Sequence, residues 1–455
     1  MNEFMFDPKV FIRPPYITCP NCGAEEQFGV LMIGWGYTRR CRECWFTERY
    51  DLPEIRKKVI YLDQMAISEM MKALNPASPA YERVDPFWRE LFEKLDVLKK
   101  LQVIVCPDSA THRAESAVAP DPEALRRMYE LLAFGISFND GPSIRNAQVA
   151  EYLPHWLQGE PGHELKLDVE HVTHGGVHKW EEHFFISVGG LDPEGWVDSL
   201  RQQRERTAEG IGAVHERWRN SDLSFEELYR TELEAFGRTL LEVYVAEARR
   251  REEAIEQGIV DLEILLPSSV SRLVETIHHV LHAEGVPDEE LWTKTIEFLQ
   301  PETLEHIPYV RISCMLYAAL ARKAQAGQVR PPSRGMVNDV QVVSALLPYC
   351  DSMFLDNETA GLLGEEPLRT SLDFGTRIFS WNTRDRFLEY LDEIREAVPG
   401  EHVELVETVY GPDWDTPYTT LYARAHGRAE DEEHSPSPKP DDGLGEAPSS
   451  GRSTD

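Results

Sequence analysis

The sequence predicts an α/β protein: a mostly parallel sheet flanked by helices, interrupted by a large, mostly helical insertion, with a small cysteine-rich module in front. Three observations predict this class. Short β-branched apolar runs stand beside helical patterns in two stretches, 57–118 and 336–398. The span 119–335 between them consists mainly of long helix-like segments. Residues 1–50 contain four of the seven cysteines. Strands that alternate with helices favour parallel pairing.

Composition and charge narrow the class of protein. The chain has 455 residues, 42% of them hydrophobic, which is enough apolar material for a sizeable core. No apolar run is long enough to cross a membrane, and the N-terminus lacks a secretory signal pattern. We therefore expect a cytoplasmic protein without membrane contact, whose cysteines are thiols or metal ligands. Residues 429–455 are rich in Pro, Ser and acids, and we expect a disordered acidic tail there.

The formal net charge of −32 argues against nucleic-acid binding by overall charge. A nucleic acid would have to be held at a local basic patch or through divalent metal ions. A cluster of metal-binding carboxylates would itself contribute to such acidity.

Four cysteines near the N-terminus have the spacing of a zinc site. Cys19, Cys22, Cys41 and Cys44 form the pattern C-x2-C-x18-C-x2-C. Two such pairs complete a tetrahedron of sulfurs with no open position, so the site would be structural. The alternative is two redox CxxC motifs. The segment resembles a zinc ribbon, and ribbons of this kind often bind nucleic acids or proteins. A basic cluster lies beside the second pair: Arg39, Arg40 and Arg42. A folding or docking role for the ribbon is the alternative.

Three short apolar runs predict strands of the sheet. Val59–Leu62, Val103–Cys106 and Ser352–Leu355 are too short for helices and are bounded by charged residues or proline. Asp63 ends the first strand, at the edge where parallel sheets bind ligands. Asp356 ends the third strand in the same way.

Two further acids lie in helical patterns next to these strands. Glu115 follows the second strand and is expected to share a helix face with His112 if the helix begins near Ser109. Asp339 is expected to open an apolar helix. Carboxylates without a basic partner would repel one another unless a hard cation lay among them.

Four motifs, taken in order, resemble the PIN-like (PilT N-terminus) nuclease superfamily: VIYLDQMAIS, HRAES, NDVQVVSALL and MFLDN. The resemblance covers 57–118 and 336–398, and it implies a metal-dependent endoribonuclease. It also implies that Asp63, Glu115, Asp339 and Asp356 hold Mg²⁺ or Mn²⁺, with Asp351 as a fifth candidate acid. The 223 residues between Glu115 and Asp339 depart from a compact PIN-like domain, so 119–335 is interpreted as an insertion.

The residue types suit this chemistry. Mg²⁺ and Mn²⁺ prefer oxygen ligands, and a bound cation can generate hydroxide and stabilise charge on a phosphodiester. We hypothesise that His112 and Arg113 position a phosphate beside the metal, the alternative being a surface pair. For each acid, a helix cap or solvated loop position is the alternative. For the whole protein, the alternatives are an inactive adaptor that binds nucleic acid or protein, and a DNA nuclease.

A histidine-rich stretch at 163–183 is predicted to be a β-hairpin, with LDVEHV and KWEEHFFISV as strands around a His-Gly-Gly turn. Its histidines are expected to be exposed hairpin side chains, although such clusters can bind transition metals: His163, His171, His174, His178 and His183. His178 and Trp180 could instead face RNA. Three cysteines are expected to be buried: Cys106, Cys314 and Cys350.

Overall fold

The computed structural model describes residues 7–182, 210–258 and 266–416. The predicted acidic tail lies outside these ranges. The strands are β1 (Arg13–Ile17), β2 (Phe28–Ile33), β3 (Gly36–Cys41), β4 (Thr47–Asp51), β5 (Lys58–Leu62), β6 (Ile104–Val105), β7 (Ser137–Phe138), β8 (Thr173–His174), β9 (Ser352–Leu355) and β10 (Arg377–Ser380). No helix in the described part of the chain is long and apolar enough to span a membrane.

The α-helices whose full extent is described are α1 (Gln64–Leu74), α2 (Phe87–Lys100), α3 (Ala110–Ser116), α4 (Pro122–Ala133), α5 (Gly141–Leu157), α6 (Phe225–Glu256), α7 (Ser269–Ala283), α8 (Leu291–Phe298), α9 (Pro301–Leu304), α10 (Pro308–Gln325), α11 (Arg334–Leu346), α12 (Asn357–Gly364), α13 (Leu368–Ser371), α14 (Arg384–Glu396) and α15 (Gly400–Tyr410). Residues 210–219 are also largely helical.

The central sheet is parallel, with strand order β10-β9-β5-β6. The strand predicted at Ser352–Leu355 is confirmed with those bounds, whereas the second predicted strand shortens to Ile104–Val105. Helices α1 and α2 connect β5 to β6, and α12 and α13 connect β9 to β10, as parallel pairing requires. The protein is therefore a mixed α/β fold built on a parallel sheet.

Helices cover both faces of this sheet. Val59 and Tyr61 of β5 belong to one buried apolar cluster, which includes residues of α5, α7, α10 and α11. Ile60 and Leu62 belong to a second cluster, with residues of α1, α2, α4 and α14. Successive side chains of a strand point to opposite faces, so alternate residues of β5 are buried in two different hydrophobic cores. Helices from 119–335 thus pack directly against the sheet.

The N-terminal module, called the ribbon below, is an antiparallel sheet with strand order β1-β2-β3-β4. It packs against α15, because Val30 and Tyr37 share a buried cluster with Val406 and Val409. The first and last described segments of the chain are therefore joined through one small apolar core.

The predicted hairpin in the histidine-rich stretch is wrong for the residues described. Val169–His171 form a 3-10 turn, and β8 pairs antiparallel with β7 rather than with the second predicted strand. The Asp168 side chain accepts a hydrogen bond from the Glu170 backbone N–H at 3.0 Å, and such local capping competes with strand pairing. Residues 179–182 are not a strand, and His183 lies outside the described residues.

Candidate functional site: a cysteine cluster and an acidic sheet edge

The four N-terminal cysteines converge as their spacing predicts. Cys19 Sγ lies 3.7 Å from Cys44 Sγ, and Cys22 Sγ lies 3.8 Å from Cys41 Sγ. Four sulfurs bound to one zinc ion at about 2.3 Å would stand roughly 3.8 Å apart, so the cluster has the size that zinc requires. Both contacts join one CxxC pair to the other, as a shared ion needs, which disfavours two separate redox motifs. The cluster could therefore bind a zinc ion.

A local turn and a side-chain hydrogen bond shape the surroundings of Cys19 and Cys44. The Gly23 N–H donates to the Cys19 carbonyl at 3.0 Å, and the φ of +72° at Gly23 suits glycine. The Asn21 amide donates to Cys44 Sγ at 3.5 Å. This bond is the main cause that lowers the pKa of Cys44 to about 6, which favours the thiolate that binds metals.

The basic cluster of the ribbon is smaller than predicted. Arg39 is buried, and its guanidinium donates to the carbonyls of Pro15 at 2.6 Å and Thr408 at 2.8 Å. Arg39 therefore fastens the ribbon to α15. The Arg40 guanidinium lies 4.8 Å from the ring of Trp45, and both remain partly accessible. An arginine stacked on an exposed aromatic ring can contact a binding partner.

Two of the four predicted acids lie at adjacent strand ends. Asp63 follows β5 and caps α1, and Asp356 follows β9 and caps α12. The strands are hydrogen-bonded neighbours, and the Asp63 N–H donates to the Phe354 carbonyl at 3.0 Å. The helix-cap alternative therefore holds for both residues. Their capping bonds fall on Oδ1, which leaves Oδ2 for another ligand.

The other two acids come from helices. Glu115 is near the end of α3, whose N-cap is Ser109 as expected. Asp339 does not open its helix, since α11 begins at Arg334 behind the N-cap Ser333. Asp339 therefore lies in the second turn, and the cap alternative is wrong for it. The helix is predicted from the apolar residues that follow Asp339, so the prediction misses its first turn.

Hydrogen bonds connect these acids. The Asn338 amide donates to Glu115 Oε1 at 2.8 Å, which joins α11 to α3. The buried Thr359 hydroxyl donates to Asp339 Oδ2 at 3.4 Å, while the Thr359 backbone N–H donates to Asp356 Oδ1 at 3.1 Å. Sequence reasoning missed Asn338 and Thr359. Their signal was present, since Asn338 adjoins Asp339 and Thr359 lies three residues after Asp356.

A second set of contacts links Asp63 to Glu115. Gln64, directly after Asp63, donates from its amide to the Ser116 hydroxyl at 3.3 Å. The Tyr129 hydroxyl donates to Gln64 Oε1. Because Ser116 adjoins Glu115, hydrogen bonds connect the surroundings of all four acids.

The charges of the four acids act on one another. Burial, with the charges of Glu115 and Asp356, raises the pKa of Asp63 to about 6. Burial, with the charges of Asp63, Asp356 and Glu115, raises the pKa of Asp339 to about 8. In the described part of the chain, no three of these acids bring oxygens within 4.8 Å of one another. The four acids thus interact through their charges without lying at the spacing of ligands around one ion.

A cavity of about 640 Å³ adjoins the acidic edge. Glu115 and Asn338 line it, so it opens beside the carboxylates. Arg145 and Arg334 line it as well, together with the ring of Tyr309. The lining of the cavity therefore combines two arginines with two acids, Glu115 and Asp140.

The proposed phosphate contacts do not lie as predicted. His112 is buried, with its ring stacked 5.0 Å from Tyr61 and 4.8 Å from Tyr129. Burial lowers the pKa of His112 to about 3, so it is a neutral core residue. Arg113 is exposed and donates to Asp108 at 2.7 Å. The hypothesis that His112 contacts a phosphate is therefore wrong, because its ring faces the core.

Asp351 is separated from the other acids. It precedes β9, whereas Asp356 follows that strand, so the two residues lie at opposite ends of the sheet. Asp351 Oδ2 accepts from the Val59 N–H at 2.8 Å, and Oδ1 lies 3.3 Å from Lys58 Nζ. The structure therefore does not place Asp351 at the site, and its carboxylate instead aligns β5 with β9.

The suggested RNA contacts in the histidine-rich stretch are structural. Trp180 is buried and donates from its ring N–H to the Pro53 carbonyl at 2.9 Å. His178 Nδ1 accepts from the Lys57 N–H at 3.3 Å. Neither side chain is presented to RNA, because both hold this segment to the chain between the ribbon and β5. Three cysteines are buried as predicted: Cys106, Cys314 and Cys350.

Comparison with known proteins gives no relative. No family model matches the sequence, and no match is found among the curated proteins or the solved structures. What this chain does is therefore inferred from its own residues.

Proposed function

We propose that this protein is a metal-dependent endoribonuclease of PIN-like type, in which Asp63, Glu115, Asp339 and Asp356 hold one or two Mg²⁺ or Mn²⁺ ions. One observation carries the proposal. Four carboxylates from four different elements lie near enough to one another, beside the carboxyl ends of β5 and β9, that burial and mutual repulsion raise the pKa of Asp63 and Asp339. Crowded, perturbed carboxylates are typical of functional sites.

The residues fit such ions in their donor chemistry. Oxygen ligands suit hard divalent cations, and a cation would relieve the repulsion among the four charges. Backbone capping bonds fix Asp63 and Asp356, while Asn338 and Thr359 orient Glu115 and Asp339. A bound cation would supply an acidified water and charge stabilisation at a phosphodiester.

The adjoining cavity supports a nucleic-acid strand as the substrate. Arg145 and Arg334 bring two positive charges into a lining that also holds the acids Glu115 and Asp140. Arginine is well suited to phosphate recognition, and we assign these two guanidinium groups to the phosphates of the strand. In this proposal the cavity receives nucleotides beside the scissile phosphate, and the ribbon provides a second contact.

The test is cleavage of labelled RNA with Mg²⁺ or Mn²⁺ by the full-length parent, Asp63→Asn and Asp351→Asn. We expect cleavage by the parent, a loss of at least about 100-fold in Asp63→Asn, and near-parent rates in Asp351→Asn, whose acid lies at the other end of the sheet. Equal rates in the parent and Asp63→Asn would overturn the mechanism. Binding of RNA without cleavage would indicate the adaptor, and cleavage of DNA alone would overturn RNA as the substrate.

A further inference from the structure

A second cluster of metal-ligating side chains lies where α5 ends. The helix stops at Leu157, and Gly159 takes a φ of +77°, which turns the chain back. The Glu160 N–H donates to the His155 carbonyl at 2.9 Å, and the His163 N–H donates to the Glu160 carbonyl at 3.1 Å. The backbone itself therefore brings His155, Glu160 and His163 together.

The side chains of this cluster already lie at ligand spacing. His155 Nδ1 is 3.0 Å from Glu160 Oε2, and the rings of His155 and His163 are stacked with centroids 3.4 Å apart. The ligand atoms of the three residues all lie within 4.8 Å of one another. Two ligands of a tetrahedral zinc ion, each about 2.0 Å from the metal, would stand roughly 3.3 Å apart.

We propose that His155, Glu160 and His163 form a binding site for a zinc-type transition metal ion, separate from the ribbon cysteines and from the acidic edge. Two imidazoles and one carboxylate are a known zinc donor set, which leaves a coordination position for water. Nitrogen ligands favour Zn²⁺ and its neighbours over Mg²⁺.

The site is accessible and joins two pieces of chain. Glu160 is exposed, and the two histidines are half-buried, so an ion can enter from solvent. The Tyr152 hydroxyl already donates to the Pro161 carbonyl at 2.9 Å. A bound ion would add a second tie between the end of α5 and the loop that leads to β8. This proposal does not depend on nuclease activity.

The test counts zinc ions on the full chain. Parent protein, His163→Ala and His174→Ala are dialysed against micromolar Zn²⁺ with millimolar Mg²⁺ as a competitor at sites made of oxygen ligands alone, and bound zinc is measured by mass spectrometry. We expect one zinc ion fewer per chain in His163→Ala than in the parent. His174 is an exposed histidine of β8 outside the cluster, so His174→Ala should keep the parent stoichiometry.

Glu160→Gln provides a second variant with little effect on folding, because Glu160 is exposed. It should weaken zinc binding at this site by roughly 10- to 100-fold, the loss expected when a group that supports a metal is removed. Equal zinc content and affinity in the parent, His163→Ala and Glu160→Gln would overturn the proposal. None of these substitutions touches the four cysteines, so such a result would not contradict a zinc site there.

Discussion

Asp339 occupies a position where its charge opposes folding. Its carboxylate is partly buried, feels the charges of Asp63, Asp356 and Glu115, and has its pKa raised to about 8. The Thr359 hydroxyl bond at 3.4 Å is a small compensation. A buried carboxylate that lowers the free energy of unfolding is expected where a bound cation would compensate its negative charge.

Asp339→Asn should therefore stabilise the protein without added Mg²⁺ or Mn²⁺ and abolish cleavage. Removing the charge relieves repulsion, and one unit of raised pKa corresponds to about 1.4 kcal/mol, so we expect a gain of at least about 1 kcal/mol at pH 8. Urea unfolding measures the stability, and RNA cleavage measures activity. A destabilised but fully active variant would contradict the role assigned to Asp339.

The raised pKa values also predict how stability and metal binding depend on pH. Folded Asp63 and Asp339 hold protons up to about pH 6 and pH 8, whereas the ordinary pKa of an aspartate side chain is 3.8. The folded state therefore binds more protons between about pH 4 and pH 8, and without added Mg²⁺ or Mn²⁺ the contribution of this pair to stability falls as pH rises through that window. Protons compete with Mn²⁺, so its affinity should rise from pH 6 to pH 8. Titrations of Mn²⁺ at several pH values measure this, and a flat profile would contradict it.

Individual site residues could be predicted only where the sequence carried a positional signal. Asp63 and Asp356 stand directly after apolar strands, and that placement was recognisable. His112 was misjudged because a histidine beside an arginine suggests a surface, whereas Tyr61 and Tyr129 enclose its ring. Which face of a short helix is buried depends on neighbours that are distant in sequence.

At the scale of elements, the ribbon is the part whose stability depends on one local site. Its strands are short, and Cys19 and Cys41 are themselves buried beside Phe28. A core of this size contributes little free energy of folding, whereas a bound metal ion supplies it. The ribbon also contacts α15 through Arg39.

Cys41→Ser should remove the ribbon zinc and loosen β1–β4, because three ligands hold the ion more weakly than four. Hydrogen exchange should speed up over 13–51 while β5 and β9 remain protected. Cys314→Ala removes a buried thiol far from the cluster in sequence and should leave zinc content and ribbon protection unchanged. Full protection of the ribbon amides in zinc-free Cys41→Ser would refute this dependence on metal.

Strands and helices were predicted best where burial alone determined the sequence pattern. The run at Ser352–Leu355 is buried on both faces, so apolar composition alone located β9. The hairpin predicted at 167–188 is wrong in its described part, 167–182, where Asp168 caps a turn within an alternating pattern. Alternation over a few residues cannot exclude such local hydrogen bonds.

At the scale of the whole molecule, a buried charge cluster ties the histidine-rich segment to the α/β core. Glu181 lies 3.4 Å from Lys57 Nζ and 3.9 Å from Lys99 Nζ, and all three side chains are nearly inaccessible to solvent. Burial lowers the pKa of Lys57, and the charge of Glu181 opposes that shift. The cluster joins three segments that are distant in sequence.

Glu181→Ala should cost roughly 3–5 kcal/mol, because it leaves two buried ammonium groups without their counter-ion. Glu123→Ala removes an exposed partner of Arg126 and should cost less than about 1 kcal/mol. Urea unfolding of both variants measures the difference. Similar small losses in the two would show that the buried cluster does not hold the segment.

Long-range assembly was the least predictable level. The order of motifs suggested a sheet divided between 57–118 and 336–398, and β5 and β9 are indeed paired. Nothing in the sequence indicated that α5 and α10 from the intervening span would pack on that sheet. Such packing depends on the three-dimensional complementarity of apolar faces, which periodicity alone does not specify.

The central claim is that four acids form one divalent-cation site, and Mn²⁺ binding followed by electron paramagnetic resonance tests it most directly. Asp63→Asn, Glu115→Gln, Asp339→Asn and Asp356→Asn should each weaken binding at least about tenfold, because each removes a ligand from the same ion cluster. Asp351→Asn, at the opposite end of the sheet, should bind like the parent. Parent-like Mn²⁺ affinity in all four variants would contradict the claim.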